Sequence, residues 1–315
     1  MIAFHILCHD NFAQVALQIE ALYDAADTFL IDIDDGRRPD TRPIEPWLAR
    51  PNVHVIRDGN IGWGGAGTLR KTIRGAFALL DLDRAWDYYV VLSGQDLPLK
   101  PARVIRERLA AGRGSGTSYL RAVPFEPIEP DELPPIHRDD DCRLWADRGH
   151  TRVYACPGSI DPQATMAARW LVDVTEVGEK GEVYVATADP LLLARRRAFF
   201  ARHRFHTGAN WFNLHRSLLE HLRADPFAYE LYELLRTTFI PDESYFQTYV
   251  MNSPFRDRVV RDHGRLILRP GKGAGVKVFG LEDLERIRGG DELFGRKFDT
   301  RHDRRIIDEV LALAA

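Results

Sequence analysis

Apolar strand-like stretches alternate with helical patterns through the first hundred residues, and this alternation limits the fold of the chain more than any other feature. Continuous apolar runs predict buried strands at 2–7, 28–33, 53–56 and 86–92. Helical spacing of apolar residues predicts helices at 11–24 and 68–82. Because strands separated by helices form mostly parallel sheets covered on both faces, we predict an α/β fold with a mostly parallel central sheet flanked by helices.

The loops after these strands form the expected ligand site. Ligands of parallel sheets bind beyond the carboxyl ends of the strands. Asp34 closes the second strand, and the glycine run with Gly64 and Gly65 follows the third. Ser93 and Asp96 follow the strand at 86–92. We expect these loops to meet at one crevice and bind a donor substrate, although the glycine run has neither dinucleotide-binding nor phosphate-loop spacing.

Length and charge limit the domain organisation and the partners. A chain of 315 residues can bury a large core, and no convincing linker divides it. We predict a single domain over 1–315, with a nucleotide-binding half at about 1–120 and an acceptor-binding and catalytic half at about 121–315. The net charge of −3 gives no reason to expect nucleic-acid binding.

Cysteine use and hydropathy bear on location. Three cysteines without ligand spacing argue against a disulfide framework. The chain shows no signal-peptide pattern, and no apolar run approaches the length of about 18 residues that a spanning helix needs. We therefore expect a cytoplasmic protein without a transmembrane segment. Peripheral membrane association remains compatible with this sequence.

Glu243 is the candidate general base. Pro241 stops the preceding element, Asp242 suits an N-cap, and Glu243 falls in the first turn of a predicted helix. The helix N-terminus favours the ionised carboxylate by about 0.3–1 kcal/mol. A carboxylate held ionised beside a crevice can accept a proton from a sugar hydroxyl or a serine. Acidic residues are also common in first turns for stability alone, so position leaves both interpretations open.

Arg296 and Lys297 form the candidate cationic patch. The flanking Phe294 and Phe298 predict a turn anchored in the core, which would hold both cations rigidly. Preorganised cations stabilise the charge that develops on a departing diphosphate without a metal. Further cations that could extend the patch are Lys277, Lys272 and Arg269. A solvated surface pair is the alternative, but a base with a fixed cationic patch suits metal-independent transfer from a diphosphate donor.

A metal-dependent site is the main alternative. The segments 32–34 and 81–83 match the Asp-X-Asp pattern with which nucleotide-sugar transferases hold Mg²⁺ or Mn²⁺. That tripeptide is weak evidence, because Asp32 lies inside a strand-like run and 81–83 ends a helix. The loop with Asp96 carries one carboxylate only. We therefore expect no metal and no cofactor, with Asp34 contacting the nucleoside. Metal-dependent transfer and a nucleotide- or glycan-binding protein without turnover stay open as alternatives.

Several segments, in order, resemble one known family. Besides the opening strand and helix and the strand ending at Asp34, they are Trp63-Gly64-Gly65-Ala66, Leu92-Ser93-Gly94-Gln95-Asp96-Leu97-Pro98-Leu99, Gly208-Ala209-Asn210-Trp211-Phe212-Asn213-Leu214-His215-Arg216, Pro241-Asp242-Glu243 and Phe294-Gly295-Arg296-Lys297-Phe298-Asp299. Together they resemble the core-2/I-branching β-1,6-N-acetylglucosaminyltransferases and peptide O-xylosyltransferases, glycosyltransferase family 14, which have a GT-A fold.

The resemblance implies an inverting, metal-independent transfer of xylose or GlcNAc from a UDP-sugar to a hydroxyl of a glycan or peptide acceptor. It implies that Glu243 is the base, that Arg296 and Lys297 bind the diphosphate, and that Asp34 contacts the nucleoside. Xylosyltransferases carry Asp before the Trp-Phe pair where this chain has Asn210, so Asn210 and Trp211 are expected acceptor contacts with altered chemistry. The disulfides, anchor and stem of the animal enzymes are not found, which suggests a bacterial, cytoplasmic relative.

Overall fold

The computed structural model describes residues 1–59, 64–124, 145–147, 150–153, 172–177, 183–187, 189–270 and 275–315. Its strands are Ile2–Cys8 (β1), Thr28–Asp34 (β2), Val53–Asp58 (β3), Tyr88–Ser93 (β4), Asp96–Pro98 (β5), Ser118–Leu120 (β6), Val123–Pro124 (β7), Trp145–Asp147 (β8), His150–Val153 (β9), Val172–Val177 (β10), Val183–Thr187 (β11), His206–Thr207 (β12), Phe212–His215 (β13), Val259–Val260 (β14), Arg265–Ile267 (β15) and Phe294–Arg296 (β16).

Helices separate many of these strands. They are Phe12–Leu22 (α1), Glu45–Leu48 (α2), Gly67–Asp81 (α3), Ala102–Ala110 (α4), Pro190–Phe200 (α5), Arg216–Ala224 (α6), Pro226–Leu235 (α7), Tyr245–Asn252 (α8), Leu284–Arg288 (α9) and Arg304–Ala314 (α10). Short 3₁₀ turns lie at Asp35–Arg37, Arg42–Ile44, Pro241–Glu243, Arg256–Arg258 and Leu281–Asp283. None of the helices in the described ranges is both long and apolar enough to cross a membrane.

A seven-stranded sheet forms the centre of the described structure, in the order β14-β6-β13-β4-β1-β2-β3. The strands β1 to β4 are mutually parallel, β13 is antiparallel to its neighbours β4 and β6, and β14 is parallel to β6. The predicted α/β class with a mostly parallel central sheet is therefore confirmed. Strands from both predicted halves of the chain enter this one sheet, while the division into halves stays a prediction.

Apolar layers cover both faces of the sheet, which is why its strands read as continuous hydrophobic runs. On one face Phe4 and Val90 pack with α1 and α4. On the other face Tyr89 and Val91 pack with α3 and with α6 to α8. Each fully buried side chain of this kind contributes about 1.5–3 kcal/mol. The packing of this core therefore fixes the pairing register of the strands, and this register sets the level at which each strand ends.

A smaller three-stranded sheet, in the order β15-β16-β5, differs from the sequence prediction. We predicted a turn around Arg296 and irregular structure after Ser93. Instead, β16 pairs antiparallel with β5 and parallel with β15. Pairing partners so distant in sequence carry no local signal, and runs of three residues are too short for periodicity to reveal. An apolar layer that includes Phe279 and Phe298 and packs against α10 anchors this sheet.

Candidate active site

The carboxyl ends of the parallel strands bring the predicted donor loops to one edge of the sheet. The register pairs Leu7 with both Asp32 and Ser93, so β4 ends level with Asp32, two residues before the end of β2. Asp34 is half-buried at the end of β2, where its carboxylate accepts a hydrogen bond from the Gly36 N–H at 3.0 Å. Ser93 ends β4 at the same edge, with β1 between the two strands. This edge is where ligands of parallel sheets bind.

The pairing of β5 with β16 sets Asp96 directly opposite Arg296. The Asp96 carboxylate accepts a hydrogen bond from the Ser93 N–H and lies 3.7 Å from Arg296 Nη1. Arg296 Nη1 donates to Ser93 Oγ at 3.5 Å. The Arg296 guanidinium also stacks on the Trp211 ring, with Cζ 3.8 Å from the ring centroid. Because Arg296 is only 8% exposed, these contacts hold its charge in a fixed place.

The charges around Arg296 are only partly balanced. Burial lowers the pKa of the Arg296 guanidinium, while the carboxylates of Asp96 and Glu243 oppose this shift and Arg269 reinforces it. Burial also lowers the pKa of the half-buried Lys297, and Arg296 lowers it further. Arg296, Lys297 and Arg269 therefore act in one charged region together with the carboxylates of Asp96 and Glu243. Within the described structure, Arg296 Nε lacks a hydrogen-bond partner. Such an arrangement suits an anionic ligand.

Lys277 contributes less to this patch than predicted. Its ammonium donates to Asp283 Oδ1 at 2.7 Å and to Glu282 Oε1 at 3.0 Å, and these bonds raise its pKa. Its backbone carbonyl accepts a hydrogen bond from the Lys297 N–H at 3.1 Å. In this structure Lys277 therefore supports the backbone of Lys297, while its own charge is paired. Lys272 lies outside the described residues.

Glu243 lies in the 3₁₀ turn Pro241–Glu243, not in the first turn of an α-helix as predicted. The helix α8 begins at Tyr245 because Ser244 adopts φ −132° and ψ −32°, which interrupts helical geometry. Glu243 is half-buried, and its effect on the Arg296 pKa indicates that the two charges share one region. The prediction of a helix N-terminal stabilisation is thus wrong, while the role of the Glu243 carboxylate as the base stays a prediction.

Two backbone hydrogen bonds tie this turn to the loops on either side. The Ile240 N–H donates to the Gly64 carbonyl at 2.7 Å, which connects the turn to the predicted donor loop. The Gly208 N–H donates to the Glu243 carbonyl at 2.8 Å, which connects it to the segment before Trp211. Gly64 adopts φ 84°, a conformation that favours glycine. Part of the glycine run, at 60–63, lies outside the described residues, and Gly65 is half-buried at its end.

Asn210 is buried beside this turn at 4% exposure. Neither its amide nitrogen nor its amide oxygen has a hydrogen-bond partner among the described residues. Gln247, which is fully buried, donates to the neighbouring Ala209 carbonyl at 2.9 Å. Gln247 lies four residues after Glu243 in the sequence. This spacing was the available sequence signal for a polar group near the predicted base. Buried amide groups without a hydrogen-bond partner are rare, so we expect the Asn210 side-chain amide to bind a polar partner.

Arg265 is a second residue that the sequence did not reveal. It is 5% exposed and donates to Asn213 Oδ1 at 2.7 Å and to the Val91 carbonyl at 3.0 Å. Burial lowers its pKa to about 9, while Asp96 opposes the shift and Arg296 adds to it. This guanidinium therefore adds a buried positive charge behind the cationic patch. One arginine among many, without a motif, gives no sequence signal.

Gly208→Ala tests how tightly the loop before Trp211 is packed. A Cβ at this position would lie 1.9 Å from the Arg121 carbonyl oxygen, so the backbone would have to shift. We expect a loss of about 1–3 kcal/mol in the free energy of unfolding, as for other overpacked sites. Thermal or urea unfolding measures this loss. Gly114→Ala is the matched control, because nothing lies within 4 Å of its Cβ position; equal stability of the two variants would contradict the assigned packing.

Both Asp-X-Asp tripeptides are engaged in ion pairs. Asp32 is fully buried, with Lys71 Nζ at 3.0 Å, Arg74 Nη2 at 3.2 Å and His5 Nε2 at 3.3 Å. Asp81 forms an exposed ion pair with Arg223 at the far end of α3. Asp32 therefore serves as the anchor of a buried cationic cluster. Among the residues with described positions, no group of three or more metal-ligating side chains comes together.

Asp32→Asn tests whether this carboxylate is structural. Burial alone would raise the Asp32 pKa, but the His5 and Lys71 contacts lower it overall. Because its folded pKa lies below the unfolded value of about 3.9, its contribution is present above about pH 4 and disappears as the pH falls through the folded pKa. We expect a loss of about 3–5 kcal/mol at neutral pH and weaker acid sensitivity below pH 4. The exposed Asp81→Asn control should lose at most about 1 kcal/mol, and an equally small loss for Asp32→Asn would contradict the structural role.

Comparison with known proteins gives the family. The sequence profile of the Core-2/I-Branching enzyme family matches residues 2–114 and 182–287, which is more than half of the chain. The match includes the predicted donor loops and the Pro241–Glu243 turn, whereas Arg296 and Lys297 lie beyond its end.

Curated relatives include xylosyltransferase 2 of Canis lupus familiaris, 24% identical over 273 residues that cover 84% of this chain and 26% of that protein. Xylosyltransferase 2 of Bos taurus is 22% identical over 333 aligned residues, which cover 98% of this chain and 33% of that protein. The chain thus spans a third or less of the length of these relatives.

Solved structures give only weak likenesses. Apo mouse xyloside xylosyltransferase 1 is 12% identical, covers 93% of this chain and 96% of that chain, and has a TM-score of 0.36. S. aureus TarS 1–349 in complex with UDP-GlcNAc is 10% identical, covers 42% and 36%, and has a TM-score of 0.25. At these scores neither likeness bears on function. The profile match covers more than half of this chain, and by itself it shows that the chain belongs to the Core-2/I-branching enzyme family.

Proposed function

We propose that this chain is an inverting, metal-independent glycosyltransferase. It would move xylose or GlcNAc from a UDP-sugar to a hydroxyl of a glycan or peptide acceptor. Membership of the Core-2/I-branching enzyme family supports this class of reaction, and the names of the two curated relatives favour xylose. No resident cofactor takes part in the proposed reaction.

The electrostatic effect of Glu243 on the buried Arg296 is the observation that carries the proposal. The half-buried Glu243 carboxylate lies close enough to raise the pKa of the fixed Arg296 guanidinium against the effect of burial. The Glu243 carboxylate can take up a proton while the Arg296 guanidinium stabilises a departing anion. Lys297 follows in the chain and adds a second positive charge at the same place.

In the proposed reaction, the acceptor hydroxyl oxygen attacks the anomeric carbon of the donor sugar from the side opposite to the UDP. As the new carbon–oxygen bond forms, the bond between that carbon and the diphosphate oxygen breaks. The hydroxyl proton passes to the Glu243 carboxylate, and UDP leaves with the bonding electron pair. Arg296 and Lys297 stabilise the charge on the leaving diphosphate. A single displacement of this kind inverts the anomeric configuration.

The remaining residues have supporting roles in this proposal. Asp34 contacts the nucleoside, while Gly64 and Gly65 provide backbone close to the donor. Ser93 and Asp96 hold the Arg296 guanidinium in place. Asn210 and Trp211 contact the acceptor, Asn210 through amide groups that lack partners in the described structure. Lys277 orients Lys297 through its backbone. A cytoplasmic location and a peripheral membrane association stay predictions.

The paired state of Asp32 supports metal-independent transfer over the alternative that uses Asp-X-Asp. Its carboxylate already contacts two cations, Lys71 and Arg74. A metal would have to displace them and leave a buried ammonium without its partner, which is costly. Asp96 accepts a hydrogen bond from the Ser93 N–H through Oδ2, while its Oδ1 lies 3.7 Å from Arg296 Nη1 and has no hydrogen-bond partner among the described residues.

A panel of UDP-sugars tests the proposal directly. Slow UDP release from each donor would be measured without acceptor, in EDTA and with added Mn²⁺. We expect release from UDP-xylose or UDP-GlcNAc that persists in EDTA. Release that requires Mn²⁺ would instead support metal-dependent transfer. Tight UDP binding in calorimetry, with no release from any donor and no product from glycan or peptide acceptors, would support a binding protein without turnover.

A further inference from the structure

Ile240 has a backbone conformation that its side chain disfavours. It adopts φ 51° and ψ 57°, in the left-handed region. In the described residues, two other non-glycine residues share a positive φ, Asn11 and Arg38, and neither is β-branched. A β-branched side chain crowds the backbone in this region, so such a residue persists only where its surroundings hold it. Residues of this kind concentrate at functional sites, and Ile240 directly precedes the Pro241–Glu243 turn.

Hydrogen bonds on both sides hold this conformation. The Ile240 N–H donates to the Gly64 carbonyl at 2.7 Å, and the Ile240 carbonyl accepts from the Glu243 N–H at 3.2 Å. The two peptide units that flank the Ile240 Cα therefore contact the predicted donor loop on one side and the residue of the predicted base on the other. Gly64 is buried and also has a positive φ, of 84°. A shift of Gly64 would thus be transmitted to Glu243 through two consecutive backbone contacts.

We infer that Ile240 is a positioning residue that couples the donor loop to the general base. Its left-handed backbone sets the direction of the Pro241–Glu243 turn, and its bond to Gly64 makes the position of Glu243 depend on the position of Gly64. Binding of a nucleotide diphosphate against Gly64 and Gly65 fixes this backbone and, through Ile240, the Glu243 carboxylate. The base is then held in place when donor is present. This inference rests on the proposed function.

Two variants separate backbone conformation from side-chain packing. Ile240→Gly allows the turn to adopt either sign of φ, so we expect kcat to fall at least tenfold while the donor KM changes less than threefold. Ile240→Asn removes the same apolar side chain, but Asn tolerates the left-handed region. We expect Ile240→Asn to keep kcat within threefold of the unmodified chain. Equal losses in both variants, or a change in KM alone, would overturn the positioning role.

Amide hydrogen exchange gives a readout that does not depend on turnover. In the Glu243→Gln variant, saturating UDP should slow exchange of the Ile240 amide at least tenfold, because the bond to Gly64 is stabilised when the loop is held. If calorimetry detects UDP binding but Ile240 exchange stays the same, the coupling is wrong and the proposed function stands. If UDP does not bind at all, both the proposed function and this inference fail.

Discussion

Replacement of Glu243 by glutamine is expected to lower kcat by about 10²–10⁴-fold, the usual contribution of a positioned general base. The amide has nearly the same shape as the carboxylate, but it cannot take up the proton of the acceptor hydroxyl. The half-buried position of Glu243 and its backbone bond to Gly208 should survive the change, because the carbonyl that accepts this bond is unaltered. Steady-state transfer assays and UDP calorimetry measure the two effects separately.

Affinity for UDP should stay within about threefold in the same variant, because a loss confined to kcat marks an interaction made in the transition state. Asp242→Asn is the matched control, since it removes a carboxylate from the same 3₁₀ turn. We expect this control to retain kcat within about tenfold. If Asp242→Asn loses activity and Glu243→Gln keeps it, the base is assigned to the wrong member of the turn. Normal turnover in both variants would remove the turn from the chemistry.

The sequence predicted the central sheet well for a physical reason. Strands buried on both faces must be apolar throughout, so β1, β2 and β4 appear as continuous runs bounded by polar loops. The loops then follow from topology, because parallel strands end at a common edge. Asp34 and Ser93 therefore lie at the same edge of the sheet, as predicted, while donor binding at this edge stays a prediction.

The other half of the site was less accessible to sequence reasoning. β5 and β16 are only three residues long, and their pairing joins segments about two hundred positions apart. The helix expected from Asp242 starts at Tyr245 instead, because an isoleucine with positive φ and an interrupted Ser244 precede it. Local propensity argues against a left-handed isoleucine, so only tertiary hydrogen bonds such as the one to Gly64 can select it. The sequence thus indicated Glu243 and Arg296 as candidate site residues, but it did not indicate the contacts that hold them.

Removal of both cations, by Arg296→Ala with Lys297→Ala, is expected to weaken UDP binding roughly 10²–10⁴-fold. This range follows from about 1.5–3 kcal/mol for each lost hydrogen bond between charged groups. Because Arg296 is buried against Asp96, the double variant could also lose stability, so its melting temperature must be measured. Lys297→Ala alone is the second variant. Lys297 is half-buried. None of the ion pairs among the described residues includes it, and Asp96 keeps its contact with Arg296, so loss of Lys297 leaves no carboxylate unpaired there.

The control for this experiment is Arg288→Ala, which removes a positive charge of the same kind from an exposed pair with Glu285 and Glu309. Calorimetry at two salt concentrations distinguishes local contacts from net charge. Exposed charges act mainly through screened, long-range attraction, whereas buried contacts are less sensitive to salt. We expect Arg288→Ala to leave UDP affinity within about threefold at either salt concentration, as exposed ion pairs contribute little. Unchanged affinity in a folded Arg296 and Lys297 double variant would place the diphosphate elsewhere and remove the support that a metal-independent departure of UDP requires.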